Sequence, residues 1–157
     1  MNSGEMVNSH FTSIHDDNPD IDRAVAELRV YPGAMGPGEV SKRLGVAPTE
    51  TLTIGQPVKP ESERRANCNG WFLTSEGRVG SKDIRRHLDW LIDELRPARE
   101  ALLALQKEPN VRMFVFCAIW TNGQGGAATL WPEHMRALAD LNLECSFEFA
   151  DYGEPDE

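Results

Sequence analysis

Residues 75–83 read SEGRVGSKD and join an apolar, strand-like run to a helix-like one. Such a junction can do chemistry, because the first amides of a helix have no partner within it and attract anions. Gly77 and Gly80 relax the backbone there, Ser81 can cap the helix, and Arg78, Lys82 and Arg85 could add positive charge. His87 follows one turn later, and Trp71 lies on the preceding run as an aromatic wall. Arg78, Gly80, Ser81, Lys82, His87 and Trp71 are therefore the candidate binding set for an anion or small molecule. Asp83 argues against an anion, since a carboxylate in the first turn complements the helix dipole and repels negative charge.

The other candidates are sparser. Asp83 and His87 are four residues apart, so the carboxylate could orient the imidazole, but such a pair is read as a solvated helix face. Cys68 follows Arg64 and Arg65, which would favour its thiolate, yet no histidine partner is evident. No G-x-S-x-G or related nucleophile motif is present, so no catalytic residue is assigned. His10 and His15 beside Asp16 and Asp17 lack metal-site spacing, and His134 has no marker of a general base. No metal and no cofactor is expected.

The stretch WTNGQGGAATLW (120–131) has three glycines in four positions. It lacks the Lys and Ser or Thr of a phosphate loop, and five residues separate Gly126 from the next helix start at Pro132. Asn-Gly favours a tight turn, so the segment is read as a hairpin leading to a strand at 128–131. Asn122 and Gln124 on that turn, with Arg64 and Arg65 on the polar loop 55–69, are the exposed candidates for contact with a partner.

Positioning these residues requires a framework. Apolar alternation predicts strands over 23–31, 51–55, 70–77, 111–120, 128–131 and 143–150. Helices are expected from Pro37 to the stop at Gly45, from Ser81 to about Leu105, and from Pro132 to the stop at Asn142. In the middle helix the apolar stripe keeps its phase across Pro97, which predicts a kink. The 111–120 run is apolar on both alternating sets, as in a strand covered on both faces. The last strand should turn Leu143, Cys145, Phe147 and Phe149 inward. The order β-α-β-β-α-β-β-α-β predicts an α+β fold with a largely antiparallel sheet and helices on one face. Its first six elements have the ferredoxin-like, split βαβ order.

The 157 residues suit one domain, expected over 23–150 between a flexible arm (1–22) and an acidic tail (151–157). Sixteen basic against twenty-five acidic residues give a formal charge of −9. That balance disfavours nucleic acid and anionic membranes and favours a basic partner. There is no signal-peptide pattern and no membrane-length apolar run, and the three cysteines show no paired spacing. A reduced, cytoplasmic protein is expected.

Four segments together resemble the bacterial family called domain of unknown function 4279: LGVAPTETLTIGQP (44–57), GWFLTSEGRV (70–79), HLDWLIDELRPAREAL (87–102) and GGAATLWPEHMRALADLNL (125–143). The resemblance spans about residues 25–150 and implies no activity and no catalytic residues. It does imply a likeness in size and charge to small acidic immunity or interaction proteins. The expected function is a non-catalytic protein-interaction module. The alternative is a small-molecule or anion-binding domain, or an enzyme, using turn 76–83. Homodimerisation through the last strand is expected if that strand lies at a sheet edge.

Overall fold

The computed structural model describes residues 10–151. Its elements are β1 (Ile21–Tyr31), α1 (Pro37–Leu44), β2 (Glu50–Leu52), β3 (Gly70–Thr74), α2 (Ile84–Leu95), a 3₁₀ turn (Arg96–Ala98), α3 (Arg99–Gln106), β4 (Arg112–Thr121), α4 (Pro132–Asp140) and β5 (Cys145–Asp151). The fold is α+β, with one five-stranded sheet in the order β2-β3-β1-β4-β5. β1 runs antiparallel to both β3 and β4, and β2 antiparallel to β3. The first four strands thus have the ferredoxin-like order. β5 adds a parallel strand beyond β4.

Strand alternation decides which face is covered. Ala24, Ala26, Leu28 and Val30 of β1 and Val115, Cys117 and Ile119 of β4 pack with Leu88, Leu91, Leu95, Leu102 and Leu105 in one core cluster. The helices therefore lie on this face. Gly45 at φ 67° ends α1, and Asn142 at φ 55° follows α4, as their residue types predict. The apolar stripe stays in phase past Pro97, but by way of a 3₁₀ turn that starts a new helix rather than a bent single one.

Several sequence expectations are corrected. No strand forms over 128–131, and the glycine-rich segment is not a hairpin. Both edges of β4 are occupied, by β1 and β5, so a strand there would have no partner. The segment instead crosses over to α4, and Ala128 and Leu130 pack on the core. Asn122 has no left-handed backbone; its side-chain and main-chain N–H groups donate to the carbonyls of Pro19 and Asp20. Gly126 packs closely there: a Cβ would lie 2.8 Å from Ile21 Cδ1 and would push that side chain aside.

Residues 10–20, expected to belong to a flexible arm, are bonded to the body at several points. β1 accordingly starts at Ile21. The polar loop before β3 folds on itself, with Val58 N–H donating to Arg64 O and Ala66 N–H to Gln56 O. Arg65 donates to Gly55 O, and Asn69 ties the loop to Gly33. β5 lies at the sheet edge, so its apolar set is not enclosed: Phe147 is 39% and Phe149 50% exposed.

Candidate functional site

The turn at the start of α2 forms a dense polar cluster. Asp83, not Ser81, is the N-cap. Its carboxylate accepts from Arg85 N (3.0 Å) and His15 N (2.9 Å) and holds the Arg85 guanidinium at 2.6–2.9 Å. Two further guanidinium N–H groups donate to Thr12 O and Ser13 O, and the guanidinium lies 4.8 Å from the Trp131 ring centroid. Ser81 Oγ accepts from Asp83 N and donates to Asp16 Oδ1 at 2.7 Å, while Lys82 N donates to Asp16 O.

Behind this surface lies His87, 1% exposed, with Ser75 at 0%. A carbonyl only accepts, so His87 Nε2–H donates to Ser81 O at 2.6 Å. Nδ1 then accepts from the Ser75 hydroxyl at 2.7 Å, and Ser75 Oγ accepts from Ala26 N. Burial pushes the His87 pKa below the usual imidazole value, against the opposing Ser81 bond and the Asp83 charge. For Asp83, burial raises the pKa. The Arg85 side chain and the His15 and Arg85 amides outweigh it and hold the carboxyl below the usual range.

This arrangement limits the chemistry. The place where an anion would meet the amides of α2 is filled by the Asp83 carboxylate. Ser75 and His87 have the spacing of a nucleophile and its base, but both are shut off from solvent, and the serine oxygen is committed to Ala26. The expected solvated Asp83–His87 pair is instead buried, and its members bond to different partners. The sequence does not single out Ser75; it offers Asp16 only beside His10 and His15 as a metal ligand, and Arg85 only as added positive charge at the turn.

Of the predicted set, the turn brings Ser81, Lys82 and His87 together. Trp71 is elsewhere, buried in the core with its indole N–H donating to Ser41 Oγ on α1. Gly80 is exposed, and Arg78 is exposed beside a shallow hollow with Trp90 and Pro48. A cleft of about 230 Å³ lies between residues 12–20 and the body, reached by Thr12, His15, Lys82 and Thr129. Arg64, Asn122 and Gln124 are exposed. Cys68 is half-buried with a free thiol.

The second candidate surface is the helix-free face of the sheet. Tyr31, Phe72, Phe114, Phe116 and Trp120 alternate outward there, opposite the helix-covered set. Arg23 stacks 3.8 Å over Trp120 and Arg29 3.9 Å over Phe116. Each guanidinium also pairs with a carboxylate, Arg23 with Glu76 (3.0 Å) and Arg29 with Glu27 (2.9 Å). A groove of about 280 Å³ runs between these side chains and Glu148 of β5. The double apolar alternation of 111–120 predicts a strand covered on both faces, and the structure corrects this: Phe114, Phe116 and Trp120 are only half-buried. A single helix layer covers only one of the two sets.

The fold is thus a ferredoxin-like α+β unit, extended by a parallel strand, with a capped polar cluster on the helix side and an aromatic face on the other. The chain belongs to the family described as domain of unknown function (DUF4279), whose model matches residues 22–152. No curated protein and no solved structure matches the chain. Among the described residues, no helix is long and apolar enough to cross a membrane.

Proposed function

We propose that the protein is a non-catalytic interaction module that docks a protein partner on the helix-free face of its sheet. One observation carries this reading: Phe116 and Trp120 stand on an uncovered sheet face with Arg29 and Arg23 stacked upon them. Aromatic residues and arginine are the types enriched where partners bind, and the stacked guanidiniums keep such a face wet until it is covered. The formal charge of −9, with Glu27, Glu76 and Glu148 along the groove, favours a basic partner. A cationic toxin neutralised by this chain is one form of that partner. Cytoplasmic residence belongs to the same proposal, and the free thiols of Cys68, Cys117 and Cys145 suit it.

The test replaces Phe116 or Trp120 with a photo-crosslinking amino acid in cells of the native host. A discrete adduct to one basic protein is expected, and Trp120→Ala should weaken that complex at least tenfold. Adducts that form only from Arg64, Asn122 or Gln124 would move the docking site to the loops. No adduct from either sheet-face position would remove the proposal.

A further inference from the structure

β5 is an edge strand with few of the usual protections. Over Cys145–Asp151 it reads CSFEFAD, with no proline, no lysine and no register shift against β4. Which of its backbone groups are free follows from one bond. Val115 N donates to Glu144 O, and Val115 stands beside Cys145 in the parallel register. In a parallel pair this directs the N–H and C=O groups of Glu144, Ser146, Glu148 and Ala150 toward β4. The groups of Cys145, Phe147 and Phe149 point away from the sheet. The side chains of these same three residues lie on the helix side, where Phe147 and Phe149 remain exposed.

We propose that β5 pairs antiparallel with β5 of a second copy, about a two-fold axis at Phe147, to give one continuous sheet. The side-chain pattern selects both occupant and register. Opposed residues in an antiparallel pair share a face, so a two-fold normal to the sheet must pass through a residue. An axis at Glu148 sets Glu148 against its own copy, and an axis at Ser146 sets Glu144 against Glu148. An axis at Phe149 sets Phe147 against Asp151. The axis at Phe147 opposes Phe147 to itself, Cys145 to Phe149, and Ser146 to Glu148. No two carboxylates then stand directly opposite, and the exposed phenylalanines meet in one cluster. The outward backbone groups of Cys145, Phe147 and Phe149 are satisfied in the same register, as hydrogen-bonded pairs. The seam borders the aromatic face at Glu148 and Ala150, but the pairing does not rest on the docking reading above.

The register makes a crosslinking test specific. Ser146 and Glu148 of opposite copies become a close, non-hydrogen-bonded pair. The full-length double variant Ser146→Cys/Glu148→Cys should therefore form an interchain disulfide under mild oxidation, with the native cysteines replaced by serine in every variant. Ser146→Cys alone and Glu148→Cys alone should not. Analytical ultracentrifugation of the unmodified protein should show a dimer whose dissociation constant rises at least tenfold in Phe147→Lys, with an unchanged circular dichroism spectrum. A dimer crosslinked by either single variant overturns the register. A dimer indifferent to Phe147→Lys overturns the edge pairing. A monomer at all concentrations overturns the proposal, and leaves the edge to a strand from another protein.

Discussion

His87 is held in one protonation state by its two neighbours. With Nε2–H given to Ser81 O, a second proton would make Nδ1 a donor, and the Ser75 hydroxyl would have to turn away and give up its own acceptor. The folded pKa lies below the unfolded value of about 6.5, so the unfolded chain binds the extra proton first. The stabilisation is complete above that value and declines as pH falls below it, by up to about 1.4 kcal/mol per pH unit until the folded pKa is reached. Urea unfolding at pH 7.5 and 5.5 should show this loss, and His87→Asn should reduce it. An equal loss in both proteins would assign the acid sensitivity elsewhere. Asp83 acts in a lower window: its depressed pKa stabilises above about 3.9, and that contribution is lost as pH falls through the folded value. At neutral pH, Asp83→Ala leaves the Arg85 charge buried and should cost about 3–5 kcal/mol. Asp83→Asn keeps an acceptor for the α2 amides and should cost less. Thermal unfolding that ranks the two variants the other way would show that the acceptor kept by asparagine does not serve the α2 amides.

The segment 10–20 is an element without regular secondary structure, and it fastens two helices. Its Thr12 and Ser13 carbonyls receive Arg85, Asp16 receives Ser81, Arg86 and the Lys82 amide, and His10 stacks on Trp131 at 3.7 Å while contacting Glu133. Deleting residues 1–20 therefore exposes the α2 cap and removes one wall of the cleft. Hydrogen bonds to charged groups contribute about 1.5–3 kcal/mol each, so a loss of at least about 2 kcal/mol is expected. Amide exchange at 82–87 should accelerate more than at β1. Uniform acceleration would mean that the segment supports the whole fold equally. The chain pattern did not reveal this fastening, because its acceptors are largely backbone carbonyls, which every sequence has. The core was legible for the opposite reason: the stripe from Ile84 to Leu105 and the alternation at 23–31 encode burial residue by residue. Residues 128–131 misled, since Ala-Thr-Leu-Trp has strand propensity but follows β4, which is already paired on both sides, and tertiary context overrules local preference. His87 misled differently: its periodic position placed it on the helix, but only the packed sheet showed that this face is dry.

At the scale of the whole molecule, the excess of nine negative charges acts on both proposed surfaces, with opposite signs. Two copies meeting at β5 bring like net charges together, and Glu144 and Asp151 near the seam add to the repulsion. Salt screens that repulsion, with a Debye length falling from about 30 Å at 0.01 M to about 10 Å at 0.1 M. Pairing of Phe147 with its copy, being apolar, loses nothing to screening. Self-association should therefore tighten, by about threefold or more, as sodium chloride rises from 0.01 to 0.3 M. A basic partner on the helix-free face is drawn by the same charge, so its association rate should fall over that range. The exposed ion pairs, such as Arg43–Glu39 and Arg99–Asp140, contribute little either way. Sedimentation of the protein alone, and stopped-flow mixing with the partner, measure the two trends independently. Self-association that weakens with salt would show that complementary charges, rather than the phenylalanines of β5, hold the copies together. A partner rate insensitive to salt would remove the electrostatic reason for expecting that partner to be basic.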